Sequence, residues 1–121
     1  MMMKRTLIIG ASPKSERYSY IAAQMLTEYG HEVYAHGLRE GFMGEIPIST
    51  EWPLGQNFDT ITLYVGPQNQ PEYEERIVAL RPKRVIFNPG TENTVFATKL
   101  KSAGIEAVEA CTLVMLRTNQ Y

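Results

Sequence analysis

Apolar residues gather in short runs, and between the runs they recur at helical spacing. Thr6-Leu7-Ile8-Ile9 forms the first run. After it, Ile21, Ala22, Met25, Leu26 and Tyr29 share one face of a helix predicted over residues 19–29, with Ser19 placed to cap its start and Gly30 to end it in a left-handed turn. The second run is 32–36, closed by Gly37. The third is 60–65, ended by Gly66-Pro67-Gln68-Asn69. A second helix follows over 70–80, with Tyr73, Ile77 and Leu80 inward, Asn69 and Glu72 spaced as a capping box, Pro71 in its first turn and Pro82 as its stop. The fourth run, Arg84-Val85-Ile86-Phe87, leads to a helix over 92–103 with Val95, Phe96 and Leu100 inward and Gly104 at its end. A fifth strand reads over 107–110. Residues 38–59 are punctuated by Gly41, Gly44, Pro47, Pro53 and Gly55 and read as a long connection with one short helical turn near 49–52. The tail 112–116 is apolar, and its pattern suits a helical turn and a strand equally. Leu113-Val114-Met115-Leu116 is free to pack on the core or on a second copy in a homo-oligomer.

Strand and helix alternating at this spacing predict an α/β fold. It is a single doubly wound parallel sheet, Rossmann-like, with about five strands in the order 3-2-1-4-5 and helices on both faces. The 121 residues suffice for one domain, 1–121, with one core. A net charge of -1 argues against a nucleic-acid surface, no apolar run is long enough to cross a membrane, and no signal peptide is visible at the start. Cys111 is the single cysteine, so no internal disulfide forms, and these features together point to the cytoplasm. One cysteine and two histidines are too few for a structural zinc site, and no metal is expected.

Ligands of such sheets bind where the strands end, beside the point at which strand order reverses. Gly10, Ala11 and Ser12 follow the first strand, and Gly10 allows a sharp turn and a close backbone approach. The amides near Ser19 open a helix, and Lys14 and Arg17 share the loop before it, a combination suited to phosphate. The plain alternative is a turn carrying solvated charges. The loop lacks the two later glycines of the dinucleotide fingerprint. Nicotinamide sites usually place Asp or Glu after the second strand for the ribose hydroxyls. Here Tyr34-Ala35-His36-Gly37 stands there with Arg39 beyond, which suits a phosphorylated ribose better. His36 reads equally as a ligand contact and as a lone histidine. Gly66 follows the third strand. Asn88, Pro89 and Gly90 follow the fourth, as ligand contacts or as a strand-to-helix turn with a polar cap. Tyr18, Tyr20, Tyr64 and Trp52 are candidates to stack on a base, although packing is the commoner use of such rings. Cys111 has no neighbour in sequence that would activate it. His31 lies before its strand, at the opposite edge of the sheet. No catalytic constellation emerges.

Four stretches, taken in order, resemble the stand-alone CoA-binding domain family, itself similar to the nucleotide-binding domain of the succinyl-CoA synthetase alpha subunit. They are Ile8-Ile9-Gly10-Ala11-Ser12, Glu16-Arg17-Tyr18-Ser19-Tyr20, Gly44-Glu45 and Asn88-Pro89-Gly90-Thr91-Glu92-Asn93, and the likeness runs from residue 6 to about 116. The resemblance implies that coenzyme A or an acyl-CoA, a small nucleotide ligand, is held by Gly10, Ala11, Ser12, Arg17, Ser19 and the turn at Asn88 to Gly90. It also implies a binding domain with no assigned reaction. The chain departs from the family's pattern at Ala35-His36-Gly37 (commonly Val-Asn-Pro), at Gly66-Pro67 (commonly with an Arg) and at Tyr18 (commonly Pro). Two other readings stand beside this one. The first is an NAD(P)-binding regulatory or oxidoreductase-like domain, which would need the missing glycines and acid. The second is an interaction domain that kept the fold and lost its ligand, to which the departures give weight.

Overall fold

The structure is a computed structural model and describes residues 2–121. In chain order the elements are β1 (Thr6–Ile9), α1 (Tyr18–Glu28), β2 (Val33–His36), β3 (Gly41–Met43), β4 (Ile46–Ser49), β5 (Thr60–Leu63), α2 (Pro71–Leu80), β6 (Arg84–Phe87), α3 (Thr94–Ser102), β7 (Glu106–Glu109) and α4 (Thr112–Arg117), with a 3₁₀ turn at Pro67–Asn69 before α2. The strands form one seven-stranded sheet in the order β3-β4-β2-β1-β5-β6-β7. Every pairing is parallel except that of β3 with β4.

This corrects the predicted five strands. Residues 41–49, part of the segment 38–59 read as a connection, are instead a β-hairpin closed by Gly44 and Glu45, with Gly44 at φ +63°, and no helical turn forms at 49–52, where Ser49 ends β4 and bends follow. Its strands have three and four residues, and Pro47 lies inside β4, where sequence reasoning demotes a strand. β4 runs parallel to β2 and so takes the third-strand position. Residues 60–63 lie on the far side of β1, as the fourth parallel strand. The parallel strands alone follow the order 3-2-1-4-5-6. The reversal therefore falls at β1, where it was expected, but β5 rather than β6 sits across it.

Alternate residues along each strand face opposite ways. Ile8, Ala35, Ile48 and Ile86 meet Ala23, Leu26 and Leu116 from α1 and α4 on one face. Leu7, Ile9, Ile61, Leu63, Val85 and Phe87 meet Tyr73, Ile77, Phe96 and Leu100 from α2 and α3 on the other. The tail is thus a helix packed on the core through Leu113 and Leu116, with Val114 turned outward. Three expectations about helix ends and faces fail. Arg17, not Ser19, is the N-cap of α1, and Ser19 is buried in its first turn. Gln70, not Asn69, precedes α2, and no capping box forms. Val95 and Tyr29 point to solvent. α3 does carry a side-chain cap, since the Phe96 amide donates to Asn93 Oδ1 at 3.1 Å.

Two glycines set how tightly the loop after β1 seats itself. Gly10 has φ +93°, and a Cβ there would lie 2.8 Å from the Tyr64 carbonyl oxygen. A Cβ on Gly37 would lie 2.6 Å from the Ala11 carbonyl oxygen. Gly30, at φ +87° behind α1, has open space around it. Gly10→Ala should therefore lose about 2–4 kcal/mol, from left-handed strain plus displaced backbone, or roughly 10 °C in Tm. Gly30→Ala should lose clearly less. Equal losses in thermal unfolding would show that the close approach to β5 is not the constraint.

Candidate nucleotide-binding site

The carboxyl ends of β1, β2, β5 and β6 open onto one rim. The turn after β1 is fixed by backbone bonds, for the amides of Gly10 and Ala11 both donate to the His36 carbonyl, at 3.1 and 3.0 Å. The Lys14 amide donates to Ser12 Oγ at 3.2 Å and the Arg17 amide to the Lys14 carbonyl at 3.1 Å, which curls the loop into the start of α1. Arg17 is extended, makes no side-chain cap, and α1 has no acid in its first turn. The first-turn amides of a helix have no acceptor within it, and the helix dipole adds partial positive charge. This end of α1 faces the rim with Lys14 and Arg17 before it.

The rim encloses a cleft of about 610 Å³ between the 10–17 loop, residues 37–39, residues 64–66 and the first turn of α2. Lys14, Arg17 and Arg39 line it against one acid, Glu72. A smaller space of about 260 Å³ shares Gly10, Ser12, Arg17, Tyr64 and Gly66 with the cleft and extends to Pro89, Gly90 and Thr91. A third, of about 210 Å³, shares Tyr18, Tyr64 and Pro89 with the second.

Beneath the rim a polar network ties the strand ends together. Asn88 Nδ2 donates to Thr62 Oγ1 at 2.6 Å and to the Leu63 carbonyl at 2.8 Å, and Asn88 Oδ1 accepts from the Thr112 amide at 2.9 Å. Gln70 Nε2 donates to the carbonyls of Val65 and Thr91, at 3.0 and 2.7 Å, while its Oε1 accepts from Asn93 Nδ2 at 2.9 Å. Both side chains are buried.

Of the residues singled out from sequence, Gly10, Ala11, Ser12, Lys14, Arg17, Gly37 and Gly66 line the cleft. Tyr18, Ser19, Pro89 and Gly90 line the adjoining space. Asn88 is at the rim, but both its amide hydrogens are committed within the fold. The Gly90 amide donates to Glu92 Oε1 at 2.8 Å. His36 is buried on the sheet face, edge-on to Trp52 and Tyr73 at 5.2 and 5.9 Å, and its Nδ1 donates to the Glu51 carbonyl at 3.1 Å. It reaches the rim through its own carbonyl, which holds the Gly10 turn. Glu72, Tyr73 and Leu113 were not anticipated, because helix residues enter the rim only through tertiary packing. Gln70 was read as helix start, and nothing in its neighbours signals that it is a buried clamp. Tyr64 touches all three spaces, and burial pushes its phenol up to about 12. No cluster of three or more His, Cys, Asp or Glu is placed to hold a metal ion among the described residues, and none of their helices is long and apolar enough to cross a membrane.

A parallel sheet in this order, with a glycine turn and a helix N-terminus at its reversal, defines a Rossmann-like α/β domain. The chain belongs to the CoA-binding domain family, whose model matches residues 4–117. Among solved structures, an uncharacterized protein 46% identical superposes with a TM-score of 0.97, with 100% of both chains covered. A hypothetical protein from Pyrococcus horikoshii OT3 is 27% identical, with a TM-score of 0.86 over 96% of this chain and 83% of that one. A Thermus thermophilus protein, 22% identical, shares the fold with a TM-score of 0.82 over 98% and 91%. A search of functionally curated proteins gives no match.

Two stability predictions follow from the buried polar groups. Asn88→Ala strands the Thr112 amide and the Leu63 carbonyl, so it should cost about 2–4 kcal/mol. A loss under about 0.5 kcal/mol in urea unfolding would contradict the network. Tyr64 and Tyr121 are both held protonated by burial above the ordinary range near 10. Since the unfolded chain releases these protons near pH 10, stability is intact below that pH and falls as pH rises toward 12. Tyr64 alone accounts for about 3 kcal/mol of the loss, and Tyr64→Phe should remove its part. A Tm as high at pH 11.5 as at pH 8 would exclude this.

Proposed function

We propose that the protein binds coenzyme A or an acyl-CoA along this rim, as a nucleotide-binding domain with no chemistry of its own. The observation that carries the reading is the N-terminus of α1, without a side-chain cap and without an acid in its first turn, set beside Lys14, Arg17 and Arg39 in one cleft. That donor set fits a ligand rich in phosphate. Lys14 and Arg17 serve the diphosphate, together with the amides of the first turn, where Ser19 sits, and with the backbone of Ala11 and Ser12. Gly37 and Gly66 leave the walls low enough for a ribose to approach. Arg39, just past the end of β2, suits a phosphorylated ribose, where a bare diol would call for an acid. Tyr18, Pro89 and Gly90 flank the far end of the ligand. His36 and Asn88 act by holding the Gly10 turn and the strand ends. Bound here, an acyl-CoA would present its acyl group as a thioester, and the residues around it supply binding and orientation.

The NAD(P) reading draws on the same fold but lacks both the acid and the later glycines. Family membership and the basic rim favour coenzyme A. Thermal unfolding with CoA, NAD and NADP in parallel separates the readings. CoA at a hundredfold excess over its Kd should add about 2.7 kcal/mol, a rise of roughly 10 °C, while NAD adds little. Lys14→Ala combined with Arg17→Ala should weaken CoA at least about tenfold. A response to NAD alone overturns the proposal, and no response to any nucleotide leaves an interaction domain.

A further inference from the structure

The geometry points to a preference for a short apolar acyl group on the bound thioester, seated in the space of about 210 Å³ beside Tyr64. The inference rests on the coenzyme A reading above and adds to it the class of acyl group. Its walls are the side of Tyr64, Pro89, Cys111 and Leu113, with the ring of Tyr18 at its mouth. The polar groups there are quiet. The side-chain amide of Asn88 is committed to Thr62, Leu63 and Thr112, and the Tyr64 phenol, with its proton held by burial, carries no charge. A carboxylated acyl group would lose part of its hydration there with no cation among the lining residues to replace it. Of the basic side chains at the rim, Lys14 and Arg39 line only the cleft, Arg17 lines the cleft and the middle space, and none lines this one.

Position and size agree. The small space shares Tyr18, Tyr64 and Pro89 with the middle one, and the middle one shares Gly10, Ser12 and Arg17 with the cleft. With the phosphates at Arg17, the pantetheine arm would occupy the middle space and carry the thioester past Tyr64, so that the acyl group ends among Pro89, Cys111 and Leu113. At about 210 Å³ this end space is the smallest of the three along the rim, which suits a short acyl group better than a long chain. Leu113, buried in the first turn of α4, forms part of its wall.

Each methylene taken from water is worth about fourfold in affinity. Isothermal titration of the wild-type chain with CoA, acetyl-CoA, butyryl-CoA, succinyl-CoA and a sixteen-carbon acyl-CoA should give butyryl-CoA about tenfold tighter than acetyl-CoA. Succinyl-CoA and the long chain should be no tighter than acetyl-CoA. In Cys111→Phe, which fills the space, the ratio of butyryl-CoA to acetyl-CoA affinity should fall to about one. The ratio is taken within each protein, and the wild-type series decides the matter if that variant does not fold. Equal wild-type affinities for all the acyl forms, or a preference for succinyl-CoA, overturn the acyl inference while the coenzyme A reading stands. Absence of binding by CoA and every thioester overturns both.

Discussion

No methyl group fits between Gly10 and the Tyr64 carbonyl, and much of the molecule follows from that. β1 and β5 are neighbours across the reversal of the sheet. The cleft opens beside their ends, where β1 turns at once into the loop before α1. A residue with a left-handed backbone and no side chain makes that turn possible. The Tyr64 amide donates to the Ile9 carbonyl at 2.8 Å, so the two strand ends stay joined up to the turn. Gly37 does the same on the other side, letting the Ala11 carbonyl lie against β2. The loop sinks between two strand ends, becomes the floor of the cleft, and aims the first turn of α1 across it.

The second support is polar. Asn88 and Gln70 each use both amide hydrogens and accept one hydrogen bond within the fold, and no buried side-chain nitrogen or oxygen among the described residues lacks a partner. Such a network is costly to open at one point, because each member strands its partners. It fastens β5, β6, α3 and α4 at the same level. The rim is therefore rigid on the side of residues 88–93. On the side of the 10–17 loop it is held by a few bonds from backbone amides and carries exposed cationic side chains.

Local physics was readable in the sequence, and tertiary physics was not. The bounds of β1 and β6 come directly from four-residue apolar runs flanked by a charge and by a glycine or an asparagine. Gly30 and Gly104 end their helices with positive φ, as their places after the apolar stripes suggest. β4 escaped notice because Pro47 and two nearby glycines carry the signature of a loop. Only its pairing to β2 on one side and β3 on the other makes it a strand. That omission moved residues 60–63 to the wrong side of the sheet. At the site, the glycine turn, Lys14, Arg17 and Ser19 were legible because one chain segment brings them together. The burial of His36 was not, since it depends on Trp52 and Tyr73, which approach from two other segments.

The crossing from β2 to β4 has a further consequence, because it is made by β3 and not by a helix. Over that end of the sheet the second face is covered only by residues 50–58, which arch over a groove of about 560 Å³ lined by Leu7, Tyr34 and Pro53. Trp52 anchors this segment. Its ring stacks on Tyr73 at 6.0 Å, and the Arg76 guanidinium lies over the same ring, 4.6 Å from its centroid. Tyr73 also lines the cleft at the rim. The first turn of α2 is thus held from behind by aromatic packing while its front lines the site. In folds where a helix covers this position, backbone-rigid packing would do the same work. Here side-chain contacts do it, so the position of Glu72 and Tyr73 at the rim depends on how firmly Trp52 is seated.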